Sequence, residues 1–143
     1  MGLGYHNVGY AFQHIGHRSD RWRGMLQKLN TDCLVTDSVW KITAVFRYFD
    51  EHGVYEVECD KYDPKAKHSC PVFQVDFFTM GDIEFVTSGP MMNENRHDFK
   101  VGGWNRLEHT LEVTAEMASY ETAWIYINSV EPGFNYEIDD VKM

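Results

Sequence analysis

The sequence has no apolar run approaching the roughly 18 consecutive residues that a membrane-spanning helix needs. Its start, Met1-Gly2-Leu3-Gly4-Tyr5, carries neither the basic region nor the apolar stretch of a signal peptide. It is short of positive charge as well, with 13 Lys and Arg against 22 Asp and Glu and a formal charge of −9. Such a field repels a phosphate backbone or an anionic membrane surface, which argues against nucleic acid and membrane as partners. No phosphate loop, dinucleotide fingerprint or nucleophile elbow is present. Nor does any repeat, low-complexity segment or linker composition divide the chain, so residues 1–143 read as a single domain around one core.

Cysteine is scarce too, and three residues cannot all pair within one chain. Cys59 and Cys70 flank the polar loop 60–69, where a disulfide between neighbouring strand ends is sterically easy. Cys33 would then be left over as a buried free thiol. The competing reading is three reduced thiols in a cytosolic domain.

What the chain does have is a 43% hydrophobic and 15% aromatic composition, enough for a real core. Period-two alternation recurs in short runs separated by Gly, Asp, Asn and Pro. The pattern predicts strands over 39–48, 53–59, 72–78, 83–88, 105–114, 123–128 and 135–142. Only 20–28 and 114–120 suit a helical turn, and neither is long enough for a helix of independent weight. The fold class is therefore all-β, an antiparallel sandwich. Alternation places Trp40, Ile42, Ala44 and Phe46 inside and Lys41, Thr43, Val45 and Arg47 outside. The same logic puts Ile125 and Ile127 inside, so that Trp124, Tyr126 and Asn128 share an outer face. Two rings and an amide there are either used for binding or covered by another segment.

Catalytic signals are weak. His14 and His17 could share a metal only on a helical turn, where Gly16 is unhelpful, and no third ligand is indicated. A glycosidase pair needs carboxylates facing each other across a cleft, and Asp76 with Glu108 is the only pair worth inspecting. Adjacent Asp139 and Asp140 point to opposite faces of a strand. A buried acid there is satisfied either by a cation such as Ca²⁺ or by backbone N–H donors.

Three segments resemble the jelly-roll carbohydrate-binding modules that accompany xylanases and β-glucanases. They are His17-Arg18-Ser19-Asp20-Arg21-Trp22-Arg23-Gly24 with the following Met25 to Leu29, the run Trp40 to Arg47, and a tail comprising Trp104, Trp124 to Asn128 and Tyr136-Glu137-Ile138-Asp139-Asp140-Val141. The resemblance implies two facing sheets, a concave cleft, no catalysis, and a role in holding an attached protein against a polysaccharide outside the cell. It also implies sugar contacts at Arg18 and Tyr126, structural Ca²⁺ at Asp139, and a packing role for Trp22 and Trp104. The chain departs from the xylan binders at Val45, where they carry a stacking Trp, and at Asn128, where they carry an acid. Their opening Asn-Gly-Phe-Glu strand has no counterpart, which suggests a piece of a larger multidomain protein lacking its first strand. The segment 50–69 does not align with them.

Together these readings predict a noncatalytic glycan-binding face, with Trp124 and Tyr126 stacking on sugar rings and Arg18, Asn128, Gln74 and Asp76 orienting hydroxyls. A protein-interaction or adhesion domain on the same fold is the rival, because a sandwich hosts many functions.

Overall fold

Alternating apolar and polar residues build the longest strand, β4 (Val39–Asp50), which buries Ile42, Ala44, Phe46 and Tyr48 on one side. The computed structural model describes residues 2–3, 10–15, 18–79, 81 and 84–143. Along the chain run β1 (Gly2–Leu3), β2 (Tyr10–His14), β3 (Met25–Leu29), then β4, β5 (Val72–Phe78), β6 (Phe85–Thr87), β7 (Asn105–Glu112), β8 (Thr122–Asn128) and β9 (Phe134–Lys142). They form a five-stranded sheet in the order β1-β2-β9-β4-β7 and a four-stranded sheet in the order β3-β8-β5-β6. Every strand pairing in both sheets is antiparallel. No described helix is long and apolar enough to cross a membrane.

The two sheets meet over one core. The five-stranded sheet contributes Ile42, Phe46, Leu107, Tyr136 and Ile138, and the four-stranded sheet contributes Phe73, Val75, Phe77, Ile125 and Ile127. Burying each such side chain is worth roughly 1.5–3 kcal/mol. Tyr136 spans the layers, because its hydroxyl donates to the Ile127 carbonyl at 2.6 Å. Burial pushes that phenol well above its ordinary range, so it remains a donor at all ordinary pH.

The strands at 72–78 and 123–128, and the stem of β4, follow the alternation. Four departures have local causes. The segment 53–59 keeps its alternation, with Tyr55, Val57 and Cys59 turned inward, yet it pairs with no strand. It is extended chain held by side chains. At 20–28 the expected helical turn gives way to the edge strand β3, whose backbone groups are satisfied by pairing along Ile127 to Ala123 of β8. The segment Tyr10–His14, not read as a strand, adds to β9 through Phe12 opposite Ile138. The strand expected over 83–88 is confined to Phe85–Thr87, with residue 83 outside the described set. The helical reading of 114–120 is met by the one-turn helix α1 (Ala115–Ala118), whose N-cap Thr114 accepts from the Met117 N–H at 3.1 Å.

β4 and β9 slip register between Thr43 and Val45, so two residues on β4 span Asp139 to Lys142 on β9. Asp140 sits in the resulting bulge at φ +52°, a left-handed conformation that Asp tolerates better than most residues.

Cys59 and Cys70 form the disulfide, closing the 60–69 loop beside the core, with Asp60 and His68 bonded across its neck at 2.7 Å. Cys33 is exposed rather than buried, because it ends a short 3-10 turn (Thr31–Cys33) that buries no side chain. Replacing Cys59 and Cys70 together by Ser is expected to lower unfolding free energy by about 2–4 kcal/mol, measured by urea denaturation. An unchanged midpoint would mean that the loop is held by its other contacts alone.

Candidate functional site

Pairing of β3, β8 and β5 sets the outer face of the four-stranded sheet. Trp124 lies between Lys28 and Asp76, and Tyr126 between Leu26 and Gln74. Trp124, Tyr126, Gln74 and Asp76 are half-buried, whereas Leu26 and Lys28 are exposed. The polar members are linked: Asn128 donates to Gln74 at 3.1 Å, and Gln74 donates to Asp76 at 2.9 Å. A hydrogen-bonded amide row ending in a carboxylate thus runs alongside the two rings. Burial, reinforced by the Asp76 charge, holds the Tyr126 phenol above its ordinary range. Its hydroxyl is therefore a neutral donor.

Asn128 is brought to this face but is only 2% exposed, so it braces Gln74 more than it presents a group to a ligand. The burial comes from the loop before β3. A Cβ on Gly24 would fall 1.8 Å from the Ile127 carbonyl oxygen, so only glycine lets this loop lie against β8. That contact gives the glycine of the sequence motif its physical reason.

Arg18 is not brought to the face. It is 6% exposed and donates to the carbonyls of Glu131, at 2.8 Å, Val130 and Phe134, pinning the turn between β8 and β9. Its Nη1 also donates to His14 Nδ1 at 3.3 Å. Burial, and then the Arg18 charge, hold the His14 imidazole below its ordinary range and therefore neutral. His17, its suggested metal partner, lies outside the described residues.

The outer face of the five-stranded sheet is covered in part, with Lys41 and Arg106 left exposed. Val45, expected outside, is buried. Glu137 is wholly buried there, accepting from Arg47 at 2.8 and 2.5 Å, from Gln13 at 2.5 Å and from Tyr55 at 3.0 Å. The Arg47 guanidinium lies 4.9 Å from the Tyr55 ring centroid and 4.8 Å from that of Trp104. Trp104 is half-buried against Arg47, whereas Trp22 is exposed. Sequence reasoning missed the whole Glu137 cluster. The one available signal was an acid in a strand otherwise read as core.

Asp139 is half-buried and accepts the Asp140 N–H at 2.8 Å, while exposed Asp140 pairs with Lys142 at 2.6 Å. Among the described residues no group of three His, Cys, Asp or Glu gathers for a metal. Asp76 and Glu108 lie on outer faces of different sheets, with Glu108 paired to Lys41 at 3.7 Å and Arg106 at 2.6 Å. They cannot face each other across a cleft.

Concavities of about 400, 660, 500 and 510 Å³ indent the surface, and their linings do not include Trp124 or Tyr126.

No protein-family profile and no curated protein matches the chain. Solved structures do. One, described as the xylan-binding domain from CBM 22, formally x6b domain, is 13% identical with a TM-score of 0.51, over 92% of this chain and 70% of that one. Another, the C-terminal family 22 carbohydrate-binding module of Clostridium thermocellum Xyn10B, is also 13% identical at 0.51, over 92% and 69%. A third, family 16 carbohydrate-binding module 2, is 12% identical at 0.50, over 94% and 77%. The chain shares their fold. The jelly-roll sandwich expected from the sequence is thus the one that forms, and the likeness at this identity extends to architecture alone.

Arg18→Met is expected to cost about 2–3 kcal/mol of stability by orphaning buried carbonyls, read by thermal unfolding, while leaving the NMR signals of Trp124 and Tyr126 in place. Movement of those signals would tie Arg18 to the aromatic face. Asp76→Asn should bring the Tyr126 phenol titration down toward its ordinary value, followed by ring-proton shifts; an unmoved titration would show burial acting alone.

Proposed function

We propose that this domain is a noncatalytic glycan-binding module whose contact surface is the outer face of the four-stranded sheet. One observation carries the reading: Trp124 and Tyr126 stand half-exposed beside the bonded row Asn128, Gln74 and Asp76. The C–H patches of a pyranose stack on aromatic rings while its hydroxyls exchange hydrogen bonds with amides and carboxylates. Trp124 and Tyr126 are the stacking groups, and Gln74 and Asp76 orient hydroxyls. Fold-sharing with modules named as xylan-binding and carbohydrate-binding supports this choice. The separation of Asp76 from Glu108 supports a binding role over glycoside hydrolysis. The Cys59–Cys70 disulfide supports an oxidising, extracellular setting, with the domain carried on a larger secreted protein and its partner a polysaccharide or oligosaccharide. Binding is expected to be weak, because an open wet face gains little per hydroxyl once water is displaced.

The rival, a protein-docking face, draws on exposed Leu26 beside Tyr126. Affinity electrophoresis against xylan, mixed-linkage β-glucan, mannan and laminarin, with and without calcium, separates the two. Retardation by one polysaccharide, lost in Tyr126→Ala at unchanged Tm, is the expected result. Retardation that requires calcium would bring an ion at Asp139 into the reading. No retardation of the folded domain by any of them would favour the protein-docking surface.

A further inference from the structure

The outer face of the four-stranded sheet does not end at Trp124. Residues directly opposite each other on neighbouring strands project to the same side of a sheet. Pairing of β5 with β8 and with β6 therefore carries the face onward, with Asp76 between Trp124 and Thr87, and Phe78 between Thr122 and Phe85. Phe78 is half-buried, whereas Phe85 is 61% exposed. The alternate residues agree with this side: Val75 and Phe77 belong to the core, and Val86 packs against it. β6 is anchored along β5 beyond its own three residues. The Ser88 N–H donates to the Val75 carbonyl and the Met91 N–H to the Phe73 carbonyl, both at 2.8 Å.

Tyr126, Trp124, Phe78 and Phe85 thus form an oblique run across three strands. With a rise of about 3.3 Å per residue and a strand spacing of about 4.8 Å, it covers roughly 16 Å between the positions of Tyr126 and Phe85. The run is not a continuous apolar patch. Asp76 lies opposite Trp124 and two residues from Phe78, so a carboxylate interrupts the rings. Gln74 supplies that carboxylate with one hydrogen bond, at 2.9 Å, and a carboxylate accepts several. An apolar partner closing over the run would desolvate the charge, a cost that keeps charged groups out of the centres of protein interfaces. A sugar chain meets both demands, because its C–H faces cover the rings and its hydroxyls donate to the carboxylate between them.

We propose that a polysaccharide chain crosses the sheet obliquely, from Tyr126 over Trp124 and Phe78, with Phe85 as its outermost stacking platform. The assignment rests on the glycan reading of this face and deepens it. It adds Phe78 and Phe85 as contacts and makes the ligand a chain longer than a disaccharide.

The test is a titration of the ¹³C-labelled domain with cellohexaose, xylohexaose, mannohexaose and laminarihexaose and with the matching disaccharides, followed by the aromatic NMR signals. At least one hexaose should shift Trp124, Tyr126 and Phe85 together and bind more tightly than its disaccharide. Phe85→Ala should weaken that hexaose about three- to tenfold at unchanged Tm. It should leave the disaccharide shifts at Trp124 and Tyr126 as they were, and Phe85→Tyr should restore hexaose affinity. Phe12→Ala, which removes a comparably exposed ring from the other sheet, should change neither. A hexaose that shifts Trp124 and Tyr126 but not Phe85, or that binds Phe85→Ala undiminished, would overturn the extension and leave the glycan face standing. Equal weakening of hexaose and disaccharide by Phe85→Ala would overturn it as well, by showing that the ring acts through the face and not on a more distant sugar. Shifts of the Phe85 ring with protein concentration alone would assign this edge to a second copy of the chain and likewise overturn it. No shift at any of these rings with any hexaose would remove both readings.

Discussion

A buried carboxylate organises one whole side of the molecule. Glu137 has no solvent exposure, and an uncompensated charge in such a place would cost several kcal/mol. The chain meets that cost by drawing three separate segments together around it. Gln13 comes from β2, Arg47 from β4 and Tyr55 from the extended segment after β4. Arg47 in turn packs against Trp104, so the loop before β7 is held as well. Loops that pair with no strand are fixed in place because one acid requires their donors.

The two outer faces of the sandwich differ for this reason. Over the five-stranded sheet Val45 is buried, and the loop before β7 is held by Trp104 against Arg47. Over the four-stranded sheet no comparable buried carboxylate is found among the described residues. Its outer row of Gln74 and Asp76 is satisfied within itself, and Trp124 and Tyr126 stay half-exposed beside it.

Arg18 shows how a motif can be legible while its role is not. The resemblance of the segment from Arg18 through Trp22 to Gly24 to the carbohydrate-binding modules implies a loop entering a strand, and the structure contains both. Gly24 is there because β8 leaves no room for a side chain. Arg18, however, points its guanidinium into carbonyls of residues 130–134, more than a hundred positions along the chain. An arginine that binds sugar and one that staples a turn look alike in a sequence, since both need only a long side chain with several donors.

Local pattern by itself determined the strands that are buried on one face. Period-two alternation located β4, β5 and β8 and assigned Ile125 and Ile127 inward against Trp124 and Tyr126 outward, because the pleat ties side-chain direction to residue parity. That Trp124 and Tyr126 share a face was legible for the same reason, while the pairing of β5 with β8 decided that Gln74 and Asp76 lie beside them. Tertiary structure alone decided what covers each outer face. Whether 53–59 pairs or merely packs, whether Val45 is buried and where Arg18 is spent all depend on contacts between segments far apart in the chain. Alternation reports which side of its own strand a residue occupies; it carries no information about which distant loop settles on that side.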